Sequence, residues 1–346
     1  MFRGILRHVK ISQATFEGFE RLGAQWRALE ADCPQASFFQ SWSWVGCLAQ
    51  ERYPNPVLLR AEQAGQTIGL ALFNLHRGRL CLAENGAAAL DAPFVEHNGP
   101  LARDATVAAA LLRAAWQVPG MGRLRLNGVA PVLAEAAGGA MLRAQERLAP
   151  FVDLVALRGG GRDFLASRSA NTRQQIRRSL RFYAAPRLEC AADTAQALRW
   201  FDGLVAQHSA SWQARGKPGA FASPFMLRFH HALIAQAAPR GEVEMLRLIG
   251  VQGTIGHLYN FRHRGRVSAY QSGFVLEGAG NQGKPGLTSH MMAIERALMA
   301  GDAVYDFLGG ADRYKHSLAD GTVPLLRAEL VRPWSLLGMA ARLRRR

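Results

Sequence analysis

The chain has 346 residues, 49% of them hydrophobic and spread along its length, enough for one large domain or two of ordinary size with a core in each. Its formal charge of +16 predicts an anionic partner, and only four of its 42 Lys and Arg residues are lysines: Lys10, Lys217, Lys284 and Lys315. No apolar run reaches the ~20 residues of a membrane span, the opening MFRGILRHVKISQATF lacks the apolar core of a secretory signal, and Cys33, Cys47, Cys81 and Cys190 lie too far apart for a zinc or disulfide framework, so a cytoplasmic protein with buried thiols is expected.

In chain order, a short strand and a helix (15–29) come first. The aromatic cluster Phe38, Phe39, Trp42 and Trp44 then opens a helix ending near Gln50. Strands at 56–62, 67–75 and 79–83, parted by Gly65 and Arg77-Gly78, read as a meander. Asp104 caps a helix over 105–116, and a strand (123–127) and a helix (131–137) follow. The second half repeats this order. A strand at 151–157 leads to a helix opening near Arg162, and Asn171 caps a basic helix carrying Arg173, Arg177, Arg178 and Arg181. A strand at 187–191, a helix capped by Thr194 and running to Trp212, and a helix capped by Ser223 come next. Strands at 242–249, 254–262 and 266–274, a helix at 287–299 and strands at 303–308 and 323–331 complete the order. Two related α/β modules are expected, 1–150 and 151–332, with a basic amphipathic helix at 333–346 that either is solvated or faces a membrane surface or glycan.

Two segments point to chemistry. The glycine-rich run from Gly278 to Gly286 joins a strand to a helix, so converging N–H groups and the helix N-terminus form a seat for phosphate, with Lys284 as a point charge; a solvated surface loop is the alternative. It fits neither the P-loop nor the dinucleotide fingerprint. The second is VYDFLGGADRYKH (304–316), a buried strand ending at Asp306 and followed by two glycines. Asp306 is a candidate orienter or base, and Lys315 a candidate for holding an oxyanion or phosphate. In a chain where arginine is the ordinary cation, a lysine points to its own chemistry, since its pKa shifts readily on burial.

Their order, with NTRQQIRRSLR (171–181), QHSASWQARG (207–216), FMLRFH (225–230), AYQSGF (269–274), KPGLT (284–288) and YDFLGGADRYK (305–315), resembles the CelD-like and FemAB-like branch of the GNAT acyltransferases over about 150–332. The resemblance implies an α/β fold of two GNAT-like domains, each a mixed, mostly antiparallel sheet flanked by helices, with the acyl donor in the second. It implies an N-acyltransferase moving an acyl group, expected to be acetyl, from acyl-CoA to an amine, often an amino sugar of an exopolysaccharide or cell-envelope precursor, with no metal. The coenzyme pyrophosphate would lie on Gly283, Lys284, Gly286, Leu287, Thr288 and Ser289. The loop departs from the family's tightest Arg/Gln-x-x-Gly-x-Gly/Ala form, which leaves individual phosphate contacts open.

For direct attack of an amine on a thioester, His257 is a candidate base and Tyr314 a candidate proton donor to the thiolate. Tyr270 and Ser272, alternating along one strand, are expected to line the acceptor cleft from one face. Arg173 and Arg177, one helical turn apart, are candidates to clamp an anionic acceptor such as a nucleotide- or lipid-linked sugar, and His208, Trp212 and Arg215 follow as acceptor-binding candidates. Each has a plainer reading as a packed core or solvated side chain. Two alternatives stay open: a FemAB-type aminoacyl transferase using charged tRNA, and a non-catalytic basic protein binding nucleic acid or acidic glycan. Peripheral contact with the inner face of a membrane is expected through the basic tail.

Overall fold

The computed structural model describes residues 9–87, 95–161, 163–276, 280, 282–310 and 313–343. Arg162, Gly278, Ala279, Asn281, Ala311 and Asp312, on which parts of the sequence reading fall, lie outside them, as do residues 344–346. The chain forms two compact units, residues 1–147 with 324–346, and residues 148–323.

In the first unit β1 (Val9–Ala14) leads to α1 (Phe19–Ala31), α2 (Trp42–Arg52) and the strands β2 (Pro56–Gln63), β3 (Gln66–His76) and β4 (Arg79–Leu82). The short β5 (Leu101–Ala102), α3 (Ala105–Ala114), β6 (Arg123–Val129) and α4 (Pro131–Ala136) follow. Strands β1 to β4 pair antiparallel in sequence order, β5 pairs antiparallel with β3, and β6 lies parallel to β4, Arg79 opposite Arg123. The alanine-rich α3 starts where Asp104 accepts a hydrogen bond from the Val107 N–H at 2.9 Å, as its sequence predicts, and lays Val107, Leu111 and Leu112 on the sheet. Phe38, Phe39, Trp42 and Trp44 are buried. Gly23 and Gly46 give the Trp42 ring its space, since a Cβ at either would stand within 2.6 Å of it.

The second unit opens on the end of β7 (Ala140–Asp153). Then come α5 (Leu154–Gly159), α6 (Ala170–Phe182), β8 (Arg187–Cys190), α7 (Thr194–Gln213) and α8 (Pro224–Ala237). The strands β9 (Val243–Gly250), β10 (Gly253–His263) and β11 (Arg266–Phe274) form a meander that leads into α9 (Pro285–Met299), β12 (Val304–Asp306) and α10 (Arg313–Leu318). Strands β8 to β11 are antiparallel, β12 is parallel to β11, and β7 closes the sheet antiparallel to β12. The helix α9 covers one face, packing Leu287, Met291 and Ile294 against Leu246, Leu258 and Val267. The chain then runs along β13 (Gly321–Val331), whose residues 326–331 pair with β6 in the first unit, and ends its described part in α11 (Leu336–Leu343).

Apart from the short β5, the first unit from β1 and the second from β8 thus run strand, two helices, three-stranded meander, helix, parallel strand, short helix. Each is a mixed, mostly antiparallel sheet flanked by helices, the fold class expected from the sequence. Local expectations were corrected at several points. The apolar run 151–157 is half strand and half helix, because Asp153 caps α5 by accepting from the Ala156 N–H at 2.9 Å. No helix opens between 163 and 169. The cap of α6 is Ser169, accepting from the Thr172 N–H at 3.2 Å, in place of Asn171. The cap of α7 is Asp193, accepting from Gln196, in place of Thr194.

Candidate active site

The parallel pair β11 and β12 stays together for only three residues on each side, Arg266 to Ser268 against Val304 to Asp306. β11 runs on to Phe274, whereas β12 has ended, so a gap opens along residues 269–274. Within that length the β10–β11 register slips by one residue: Tyr259 faces Gln271 while Asn260 faces Ala269, leaving Tyr270 as a bulge. The bulge breaks the period of two and corrects the expectation that Tyr270 and Ser272 share a face. Tyr270 is buried with Tyr259, Phe261 and His230, its ring 4.6 Å from that of Phe261. Ser272 is paired with Leu258, whose side chain belongs to the core under α9. Gly273 faces α7 instead, where a Cβ would stand 2.5 Å from the Leu204 carbonyl.

The N-terminus of α9 stands at this end of β11. Lys284 is its N-cap position, with no side-chain cap; Pro285 carries no N–H, and the Gly286 and Leu287 N–H groups have no intrahelical acceptor. Ser179 of α6 fixes this terminus by accepting from the Lys284 N–H (2.9 Å) and from the Thr288 hydroxyl (2.7 Å). Of the six residues expected at the pyrophosphate, Gly283, Leu287, Thr288 and Ser289 are buried and Lys284 and Gly286 half-buried; Thr288 faces α6 through its hydroxyl. The Gly286 and Leu287 N–H groups, without an intrahelical acceptor, and the half-buried Lys284 are donors of the kind an anionic phosphate requires.

Beyond β12, Lys315 does not stand free. Its ammonium donates to the carbonyls of Phe307 (2.8 Å), Gly309 (3.2 Å) and Leu308 (3.4 Å), tying α10 to the loop that leaves β12. Asp306 is fully buried, paired with Arg266 at 2.6 Å and accepting from the Leu308 N–H at 2.7 Å. Both shape the loop. Arg168, unnoticed in the sequence, fastens the other end of α10 by donating to the Leu318 and Ala319 carbonyls and pairing with Asp320.

A buried polar chain lies under α9. Asn260 Nδ2 donates to Glu244 at 3.4 Å, and the Tyr305 hydroxyl meets His290 Nδ1 at 2.9 Å. Where the phenol proton points to Nδ1, the neutral imidazole carries its proton on Nε2. That Nε2 and the neighbouring Ser289 Oγ are buried with no partner among the described residues. Burial, with the Lys315 charge adding to it, pushes the His290 pKa down to about 3. The His290 ring stacks on Tyr314, centroids 5.2 Å apart and planes 19° apart, and so orients the expected proton donor. No spacing motif marks His290; only its buried place reveals it.

The remaining candidates are placed as follows. His257 faces α7, with Nδ1 3.0 Å from Gln207 Oε1, and burial, then Arg247, pushes its pKa down to about 4, which makes it a weak base. His208 is a buried strut: Nε2 accepts from the Ala220 N–H and Nδ1 donates to the Ser272 carbonyl, both at 3.1 Å. Arg173 turns inward onto the Arg168 carbonyl at 2.6 Å, while Arg177 is exposed, so the two do not form the expected clamp. Trp212 is half-buried with Arg215 and Lys217 each 5.8 Å from its ring.

The corresponding place in the first unit is closed. There Asn98 lies at the end of β4 and β6, its Nδ2 donating to the Leu82 and Asn127 carbonyls (3.3 and 2.9 Å) and its N–H to the Gly128 carbonyl (2.8 Å). Gly128 has φ +67°, and a Cβ there would stand 2.1 Å from the Val95 carbonyl. Among the described residues, the parallel pair that parts is β11 with β12, in the second unit.

Residues 166–316 match the family model of an acetyltransferase (GNAT) domain. No curated protein matches the chain. Among solved structures it is similar to FemX (TM-score 0.62, 11% identity, 96% of this chain and 99% of that one). It is also similar to the C-terminal domain of a putative lysylphosphatidylglycerol synthetase from Agrobacterium fabrum (0.56, 13%, 94% and 97%) and to L-PGS from Bacillus licheniformis (0.54, 12%, 93% and 97%). At these identities the likeness is one of fold. Residues 166–316, which hold the gap and the α9 terminus just described, thus match a GNAT acetyltransferase domain, in a chain with a FemX-like fold.

Proposed function

We propose that the protein transfers an acyl group, acetyl in the simplest case, from acyl-CoA to an amine, with the donor held in the second unit. The observation that carries this is the parting of β11 from β12 after Ser268 and Asp306, beside the uncapped N-terminus of α9. Gly286 and Leu287 N–H and Lys284 would hold the pyrophosphate, and the free edge of β11 would hold the pantetheine amides. The acceptor amine attacks the thioester carbonyl, the C–N bond forms as the C–S bond breaks, and the amine loses a proton as the thiolate gains one. Tyr314, oriented by His290, is the proposed donor of that proton. Lys315 and Asp306 act through the loop they hold. His257 has no part in the step.

On the acceptor side, exposed Arg177 and the Trp212, Arg215 and Lys217 group suit an anionic amine carrier, such as a nucleotide- or lipid-linked amino sugar of an envelope or exopolysaccharide precursor. Thiol release from acetyl-CoA with a panel of amino sugars, free and nucleotide- or lipid-linked, tests the proposal. Turnover with one class of acceptor is expected, and no thiol release with any of them sinks it. A second reading is aminoacyl transfer from charged tRNA, favoured by the charge of +16 and by a FemX-like fold across both units. Calorimetry separates the two: heat with acetyl-CoA and none with charged tRNA supports the first, and the reverse supports the second.

A further inference from the structure

The helix α11 has its apolar residues on the outside. Ser335 starts it by accepting from the Gly338 N–H (3.1 Å) and donating to the Arg332 carbonyl (2.8 Å). Its buried residues are small, Gly338 and Ala341. Gly338 lies so close to the preceding chain that a Cβ would stand 2.1 Å from the Arg332 carbonyl, and Ala341 packs with Ala140 and Val331. Leu336, Met339, Ala340 and Leu343, spaced i, i+3, i+4, i+7, form one exposed stripe, with Leu337 beside it and Trp334 at its head. Trp334, Leu336 and Leu343 are 81%, 83% and 74% exposed. A surface helix ordinarily buries its large apolar residues; this one holds them in water, and such a patch marks a docking surface.

The charge around the stripe selects the occupant. Arg342 covers the Trp334 ring at 4.8 Å, Arg344, Arg345 and Arg346 follow in the sequence, and no acidic residue occurs from 330 to 346. Pairing this face with a second copy would bring the two arginine groups together without a counter-charge. An anionic bilayer supplies that charge, takes the apolar stripe among its acyl chains and places tryptophan and arginine at the headgroup level. We propose that Trp334 and α11 form an interfacial anchor that seats the protein on an anionic membrane surface, lying in the headgroup plane without spanning the bilayer. This does not depend on the transferase reading.

Co-sedimentation of the full chain with vesicles tests it. Vesicles of phosphatidylcholine containing phosphatidylglycerol should pellet the protein, with affinity roughly tenfold or more above that for phosphatidylcholine alone and reduced by high salt. The double variant Leu336→Glu with Leu343→Glu, both residues exposed, should keep the thermal melt of the wild type and lose the binding; Arg342→Ala should weaken it only for anionic vesicles. Wild-type protein that stays in the supernatant, or a double variant that pellets as well as wild type, overturns the proposal. So does a dimer by size exclusion that the double variant converts to a monomer, which would make the face an interface between copies.

Discussion

Lys315 and Asp306 sit where a sequence motif suggests chemistry, yet their polar atoms are already engaged with the chain itself. Lys315→Met should leave three carbonyls short of a donor and cost roughly 1–3 kcal/mol, read as a lower urea midpoint, with activity falling in parallel. Lost activity with unchanged stability would mean instead that the ammonium touches substrate. Asp306→Asn removes the charge that holds Arg266; because that arginine is about one-third exposed, solvent screening reduces the cost to roughly 1–3 kcal/mol. A double-mutant cycle with Arg266→Gln should show the two changes to be non-additive, and simple additivity would refute the pairing as the cause. His290 is the opposite case: no motif announces it, because a lone histidine on an apolar helix face looks like any core residue. It became visible only when the fold put Tyr305, Tyr314 and Lys315 around it.

At the scale of elements, the meanders and the long helices were readable from period and punctuation, and the observed strands β9 to β11 match their expected spans closely. The errors cluster where two neighbouring residues compete for one job. Ser169 and Asn171 both suit a cap, as do Asp193 and Thr194, and the choice depends on where the preceding chain turns. α10 spans only six residues, too short to hold by propensity, and is fixed by Lys315 and Arg168 bonding to distant carbonyls. Ser179 tests how α6 serves the site. Ser179→Ala removes both hydrogen bonds to the α9 terminus, so the KM for acyl-CoA should rise roughly 3- to 10-fold with kcat changed by less than about twofold. A large fall in kcat at unchanged KM would place its effect on the chemical step instead.

At the scale of the molecule, burial lowers the pKa of five described histidines of the second unit, His208, His230, His257, His263 and His290, three of them strongly. His230 and His290 are pushed down to about 3 and His257 to about 4, from an ordinary value near 6.5. The unfolded chain therefore binds more protons than the folded one as pH falls from about 6.5 toward 4. Stability is greatest above 6.5 and is lost in acid, by about 2 kcal/mol for each of the three at pH 5. Urea midpoints at pH 7.5 and 5.0 should show this, and His230→Phe should flatten part of the slope; an unchanged slope would mean that carboxylates carry it.

The sequence by itself determined the element order, the repeat of that order in two halves, the basic balance and the family resemblance, because these depend on local period and on residues close in the chain. The tertiary structure decided what those residues do. A one-residue bulge sent Tyr270 and Ser272 to opposite faces, and Asn98 closed the gap in one unit that stays open in the other. Lys315 was turned from a free cation into a clamp, and the tail helix was set with its leucines outward. Each outcome depends on register and packing between segments distant in sequence, and no local pattern records them.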